Sequence, residues 1–376
     1  MIRPLPPAGT PPQTTDRRDA TPRLPALFLG LIAFALTLFL LVAAKFILIS
    51  LTTAIIVFSL TSEAINAIAR LRIGPAHIPM RLASLVALLL IAAGLFTLSA
   101  LLLSQANQVV TMALTYTEPA SRAIAELFRW MGPDIENAVL SSLRSTELPG
   151  YLRALAGQAG SLLSGTILVI LFVGFLFAER VWFFTKLVNL MGDEERAART
   201  GTIIGSIMRR VNHYLLVKTG VSATTGLAVY AIFTVAGFDL ALPVAILTFV
   251  LNFIPSLGSI VATCLAALVV YVQTGDSGSM LAVLAGVGLV QFVIGNIIDP
   301  MLMGRALRLS SFGIIISLAF WGAVWGLPGM FLAVPIMVAV MIVCSHIPGL
   351  RPLAVLLSRE GLPETEAQTV AALNRR

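Results

Sequence analysis

Long apolar runs separated by short charged blocks organise the chain, at residues 26–44, 46–60, 82–104, 161–178, 215–236, 240–274, 280–298 and 312–345. A membrane helix needs about 20 apolar residues to cross ~30 Å of hydrocarbon, so the runs of that length predict single crossings. The longer ones must fold back. A straight helix from Ala26 to Leu60 would rise to roughly 50 Å, more than a bilayer accepts, which predicts a split at Lys45. Run 240–274 is interrupted at Asn252-Phe253-Ile254-Pro255-Ser256-Leu257-Gly258, and run 312–345 at Trp325-Gly326-Leu327-Pro328-Gly329. Each break leaves arms of roughly 14–18 residues, which suit re-entrant hairpins as well as full crossings.

Lipid offers no hydrogen bonds, so non-helical backbone at membrane depth survives only where protein buries it or where it lines a wet cavity. Two breaks in matching context therefore point to a transport site. The competing reading is a pair of packing kinks, since proline and glycine are commoner in membrane helices than in soluble ones.

Composition agrees with the pattern, because 58% of residues are hydrophobic and 11% are charged, against roughly a quarter charged in a soluble domain. The fold class expected is an all-α integral membrane protein of about eight membrane segments. Residues 1–25 hold seven prolines and mixed charge, so they are expected to be a disordered cytoplasmic tail rather than a secretory signal. Residues 346–376 read as a second cytoplasmic tail, and 161–345 as the transport domain following N-terminal membrane helices over 26–104.

Basic residues set the orientation, because Lys and Arg gather in short cytoplasmic loops. With both termini inside, 20 of the 25 Lys and Arg fall on that side, among them Arg70, Arg209, Arg210, Lys218, Arg305 and Arg308. The net charge of +7 is then a consequence of topology and calls for no nucleic-acid partner. In this topology run 215–236 leads outward into the Pro255 hairpin, and run 280–298 leads inward to the Pro328 hairpin. That is an inverted-topology repeat, the design by which two halves exchange conformations during alternating access.

Residues 105–160 form the sizeable extramembrane region. Ala123, Ile124, Leu127, Trp130 and Met131 recur at helical spacing, and Pro119, Gly132-Pro133 and Pro149-Gly150 divide the segment into short helices. Interfacial or core-packed helices are favoured there over a ligand-binding cap. The stretch from Glu179 to Lys218 reads as an inner helix, acidic at Asp193-Glu194-Glu195 and basic at Arg209-Arg210, in the order a helix dipole favours.

Enzyme chemistry finds little support. The chain has no Gly-x-x-x-x-Gly-Lys-Ser/Thr loop for ATP phosphates. His77, His213 and His346 do not form the paired spacing of a metalloprotease, so no metal site is expected. Cys264 and Cys344 lie in apolar runs, where they read as small buried hydrophobes. Energy must then come from an ion gradient, the membrane potential or the solute's own gradient.

Ionisable groups at membrane depth are costly and hence functional candidates. Asp299, beside Asn296 and before Pro300, could bind a proton or cation; its plainer role is to answer Arg305 or Arg308. Asn252, Gln291 and Asn296 add uncharged hydrogen-bonding groups. The expected pathway residues are Asn252, Pro255, Gly258, Gln291, Asn296, Asp299, Pro300, Gly304, Gly326, Pro328 and Gly329. Amides and freed backbone suit a small polar solute or a monovalent cation.

At these positions the chain resembles a known family. The motifs Asn252-x-x-Pro255-x-x-Gly258, Asn296-x-x-x-Pro300-x-x-x-Gly304 with Leu309, Trp321-Gly322-x-x-Trp325-Gly326-Leu327-Pro328-Gly329 and Ala333-Val334-Pro335 are similar to those of the autoinducer-2 exporter family of bacterial permeases. The likeness runs from about residue 25 to 355. It implies a bacterial inner-membrane location, no bound cofactor, and export of autoinducer-2 or, for some members, sodium–proton exchange. It leaves the subunit number open, a homo-oligomer included. Ser310-Ser311 stands where relatives often have His-Pro, and Asp299 where most are uncharged. A non-transporting scaffold that binds a partner through residues 105–160 is the alternative outside transport.

Overall fold

The structure is a computed structural model that describes residues 23–70, 80–115, 132–145, 148–303, 309–359 and 361. The expected N-terminal tail thus lies mostly outside the described residues, as do residues 116–131 of the expected amphipathic region. Described secondary structure is helical, with one isolated β-bridge between Leu309 and Ser358.

Two compact units are present, residues 1–45 and 46–376. The first contains α1 (Arg23–Ala43), which exposes Phe28, Leu29, Leu31, Ile32 and Phe34. A single turn residue, Ala44, separates it from α2 (Lys45–Arg70), so the chain divides where the length argument required.

In the second unit α2 packs with α3 (Met80–Thr115) and the long α5 (Leu148–Glu179), with α4 (Pro133–Ser145) between them in sequence. Ala54, Val169 and Val173 are buried together, Phe58 meets Phe177 edge-on at 4.8 Å, and Ser99 and Thr166 share a hydrogen bond of 2.6 Å between α3 and α5. Pro149 sits in the first turn of α5, where a missing N–H costs nothing, so a helix boundary falls there as expected, although α5 itself runs on through residues 161–178 rather than ending as a short helix.

After α5 the chain bends by 73° into the short α6 (Phe183–Met191). Gly192 ends α6 in the left-handed conformation and Asp193 caps the next helix by accepting from the Glu195 amide at 3.0 Å. That helix, α7 (Glu194–Val235), is continuous for 42 residues, or roughly 63 Å at 1.5 Å per residue. From Glu194 on, the expected inner helix and the expected membrane run 215–236 are therefore one element, long enough and apolar enough to cross a bilayer and project beyond it.

The remaining helices pack around α7. They are α8 (Ala241–Leu251), α9 (Leu257–Thr274), α10 (Ser277–Val293), a π-helical turn (Ile294–Ile298), α11 (Asp299–Met303), α12 (Ser311–Trp325), α13 (Leu327–His346) and, past a 3₁₀ turn, α14 (Arg351–Leu357). Val229 and Phe233 of α7 bury against Val244, Val270, Val283 and Val287. Ile207, Val211 and Tyr214 bury against α13 and α14.

Six described helices are long and apolar enough to cross a membrane, and a seventh if the bent pair α5–α6 counts as one span. The expected number was eight. α8 and α12, at 11 and 15 residues, are shorter than a crossing requires, so each forms the short arm of a hairpin with a longer partner.

Candidate functional site

Both expected breaks are helical hairpins, and both share a positive-φ residue at the turn and a glycine pressed against the end of the first arm, with proline placed differently in each. Pro255 has no N–H to give the Leu251 carbonyl, so that oxygen accepts from the Ile254 amide at 2.9 Å and α8 ends in a tight turn. Ser256 follows at φ +62°, unusual for a residue with a side chain. Gly258 then lies flush against the end of α8: a Cβ there would stand 1.7 Å from the Leu251 oxygen. In the second hairpin Gly326 turns the chain at φ +69°, and Pro328 occupies the first turn of α13. Gly329 plays the part of Gly258, with a Cβ that would fall 2.0 Å from the Trp321 oxygen. Gln273 Nε2 donates to the Asp239 carbonyl at 3.2 Å across the base of the first hairpin, and Ser317 Oγ donates to the Ala333 carbonyl at 2.7 Å between the arms of the second.

The two tips adjoin. The ring of Phe253, between Asn252 and Pro255, lies 5.9 Å from that of Phe331, two residues past Gly329, and 5.4 Å from Phe249. Trp321 and Trp325, both buried, pack with ring centroids 4.6 Å apart and planes tilted by 48° behind the second tip.

Beside the first tip runs a buried polar stripe on α7. Tyr214, Lys218, Ser222 and Thr225 recur at three- and four-residue spacing on one face, all buried, and continue the line of Val229 and Phe233. Ser222 Oγ accepts from Asn252 Nδ2 at 3.1 Å, which ties the stripe to the tip. Gly226, next along, allows α8 to lie close, since its Cβ would be 3.0 Å from the Ala245 oxygen.

One turn from Ser222, Lys218 Nζ donates to Asp299 Oδ2 at 3.0 Å. Their side chains are 6% and 19% exposed, so this ion pair sits out of water, and Tyr214 lies within electrostatic reach of the carboxylate. Asp299 Oδ1 and Gln291 Nε2 are buried without a protein partner. The π-turn aligns these two residues. In an unbroken α-helix a residue eight positions on lies about 80° round the axis; the extra residue of a π-turn removes most of that offset. The Asp299 amide bonds the Ile294 carbonyl in the π pattern, and Pro300, which would clash with the Asn296 carbonyl in a regular helix, follows directly.

Two sequence readings change here. Lys218 is not a cytoplasmic loop cation but a buried one, held by Asp299. Asp299 in turn answers Lys218; Arg305 and Arg308, its expected partners, lie outside the described residues, as does Gly304. Of the other expected residues, Asn252, Gly258, Gln291 and Gly329 are buried and Pro255 is half-buried. Asn296 is exposed and bonds back to the Phe292 carbonyl at 3.0 Å; Pro300, Gly326 and Pro328 are also exposed. Sequence reasoning passed over Tyr214, Lys218, Ser222 and Thr225. Their signal was present as polar residues at helical spacing in an apolar run.

Multiple apolar helices, paired hairpins broken by proline and glycine, and a buried polar stripe define a polytopic helical membrane protein built around a polar centre. The comparisons with known proteins carry this further: residues 29–349 match the model of the AI-2E family transporters, and the chain belongs to that family. It is 35% identical over 207 residues to the AI-2 transport protein TqsA of Escherichia coli (strain K12), covering 55% of this chain and 59% of TqsA. A protein of Borreliella burgdorferi, provisionally named a transport protein, is 32% identical over 52% of this chain and 54% of its own length. YhhT of Escherichia coli (strain K12), also provisionally named a transport protein, is 28% identical over 74% of this chain and 79% of its own. The first two matches thus span between half and three-fifths of those relatives.

Proposed function

We propose that this chain is a secondary permease of the bacterial inner membrane that exports a small polar solute, autoinducer-2 or a molecule of its kind, by alternating access. One observation carries the reading. Two hairpin tips, each turned at a break that holds proline and glycine, adjoin at Phe253 and Phe331 beside the bonded pair Ser222 and Asn252. Buried polar groups in hydrocarbon are expensive and persist where a pathway uses them. The name of TqsA supplies the solute class; the uncharged donors and acceptors at the tip suit a hydroxylated, uncharged molecule.

In this reading the hairpins are oppositely inserted halves of an inverted repeat. Their movement against α2, α3 and α5 exposes the polar stripe first to one side and then to the other. Purified protein in liposomes loaded with autoinducer-2 tests it. Efflux above that of empty liposomes, abolished by Pro255→Ala together with Pro328→Ala while both variants still insert, is the expected result. A scaffold protein would give no flux for any solute and would lose its role when residues 105–160 are replaced.

A further inference from the structure

We propose that Gln291 and Asp299 form a two-point clamp for an uncharged solute with oxygens on opposite sides of a small ring, seated over Gly295. As the solute site of a permease the clamp rests on the function proposed above; as a binding site it stands on its own geometry.

Two unused hydrogen-bonding atoms of opposite kind mark the place. Gln291 Nε2 is a donor and Asp299 Oδ1 an acceptor, and both are buried without a protein partner; Gln291 as a whole is 7% exposed. A buried polar group left unanswered costs free energy that a ligand's matching group recovers. A solute that accepts at one end and donates a hydroxyl at the other answers both atoms at once.

Their spacing suits a small ring. One α-turn followed by the π-turn takes up the eight residues from Gln291 to Asp299, so both project from one face two turns apart, roughly 11 Å at 5.4 Å per turn. Two hydrogen bonds of about 2.8 Å each leave roughly 5 Å between them, the distance across a small oxygenated ring. Gly295 stands midway on that face, one turn from each residue. It is exposed, and a Cβ there would meet nothing within 4 Å, so the space between the two atoms is open where a side chain would otherwise stand.

Charge selects a neutral ligand. The Lys218 ammonium, 3.0 Å from Asp299 Oδ2, already answers the carboxylate. α8, α9, α10, the π-turn, α12 and α13 carry no Asp, Glu, Lys or Arg. The pair therefore leaves no net charge at the clamp, and Lys218 repels a cation approaching Oδ1. A hydroxyl meets no such repulsion, and its bond to a carboxylate is stronger than one between neutral groups.

Thermal unfolding of the purified full chain in detergent, followed by tryptophan fluorescence, tests the clamp with two probes. Anhydroerythritol is a five-membered ring ether with two hydroxyls; tetrahydrofuran is the same ring without them. The diol should raise the melting temperature in a saturable way, and tetrahydrofuran should not. Gln291→Met replaces the unanswered donor by an apolar chain of like length. Without probe it should melt at or above the native chain, and its diol affinity should fall roughly tenfold for the lost hydrogen bond. Gly295→Leu fills the open space without meeting a neighbour, so it should fold and lose the diol response; it also covers a Gln291→Met chain that fails to fold.

A diol effect no greater than that of tetrahydrofuran overturns the clamp. So does a native diol response in Gly295→Leu, or a Gln291→Met chain that melts below the native one without probe, which would give Gln291 a structural partner. Autoinducer-2 efflux from liposomes holding the native chain separates the two readings. Efflux without a diol-specific shift removes the clamp and leaves the permease; a diol-specific shift without efflux keeps the clamp and removes autoinducer-2 export.

Discussion

Gly258→Ala gives the most exacting test of the hairpin geometry, because the atoms nearest the added methyl are backbone of Leu251 and Asn252, which cannot rotate away. A Cβ at this position would lie 1.7 Å from the Leu251 carbonyl oxygen and 2.5 Å from its carbon. A carbon and an oxygen need roughly 3 Å or more, so the ends of α8 and α9 must separate by more than an ångström. Overpacking that forces backbone shifts costs about 1–3 kcal/mol and occasionally more; with backbone on both sides, the upper end applies. Gly286→Ala is the control, since nothing lies within 4 Å of a Cβ there and alanine favours the helix by roughly 0.8–1.0 kcal/mol. Thermal unfolding in detergent, followed by the fluorescence of Trp321 and Trp325, should put Gly258→Ala well below the native chain and Gly286→Ala at or above it. Equal melting of the two variants, with undiminished flux through Gly258→Ala, would mean that the hairpin does not close as described.

Gly329→Ala should behave as Gly258→Ala does, because its Cβ would meet the Trp321 oxygen at 2.0 Å; the same melt checks it. Lys218→Met should destabilise by about 3–5 kcal/mol through the carboxylate left behind, whereas Lys218→Met with Asp299→Leu should recover most of the loss; a double variant no better than the single contradicts the pairing. Asn252→Ala leaves Ser222 without its donor and should cost about 1–3 kcal/mol, with Ser222→Ala in the same chain adding little. At the start of α10, hydrogen bonds from Ser279 and from the Ser279 and Gly278 amides hold the Asp276 carboxyl below the usual carboxylate range. The depressed value means that the cap is fully present above the ordinary Asp range and is lost as pH falls through the lowered value; amide exchange at Gly278 and Ser279 should accelerate there, and not in Asp276→Asn.

Much of the architecture was legible because its causes are local. Apolar run length located the helices, and proline with glycine located both breaks, since a missing N–H and a missing Cβ act on the residues beside them. The chemistry at the centre was less legible. Lys218 carries the same charge whether it marks a cytoplasmic loop or a buried pair, and only the packing of α11 on α7 distinguishes the two. Ser222 and Thr225 are small enough to disappear in an apolar run, and their spacing gains meaning once Asn252 is seen to reach Ser222. The continuity of α7 was hidden for a related reason: Arg209, Arg210 and Lys218 marked off an inner helix from the apolar run after it, yet nothing in that stretch breaks a helix. Asn296 shows the converse, an amide at a telling position that bonds its own helix.

The central claim is that the two broken hairpins meet at their tips and that the solute passes there. Phe253→Cys with Phe331→Cys, in a chain lacking Cys264 and Cys344, tests it most directly through a short thiol cross-linker and autoinducer-2 efflux from the same liposomes. The account predicts efficient cross-linking within one chain, loss of efflux, and recovery of efflux when a reducible linker is cleaved. Failure to cross-link, or full efflux through the cross-linked protein, would contradict it.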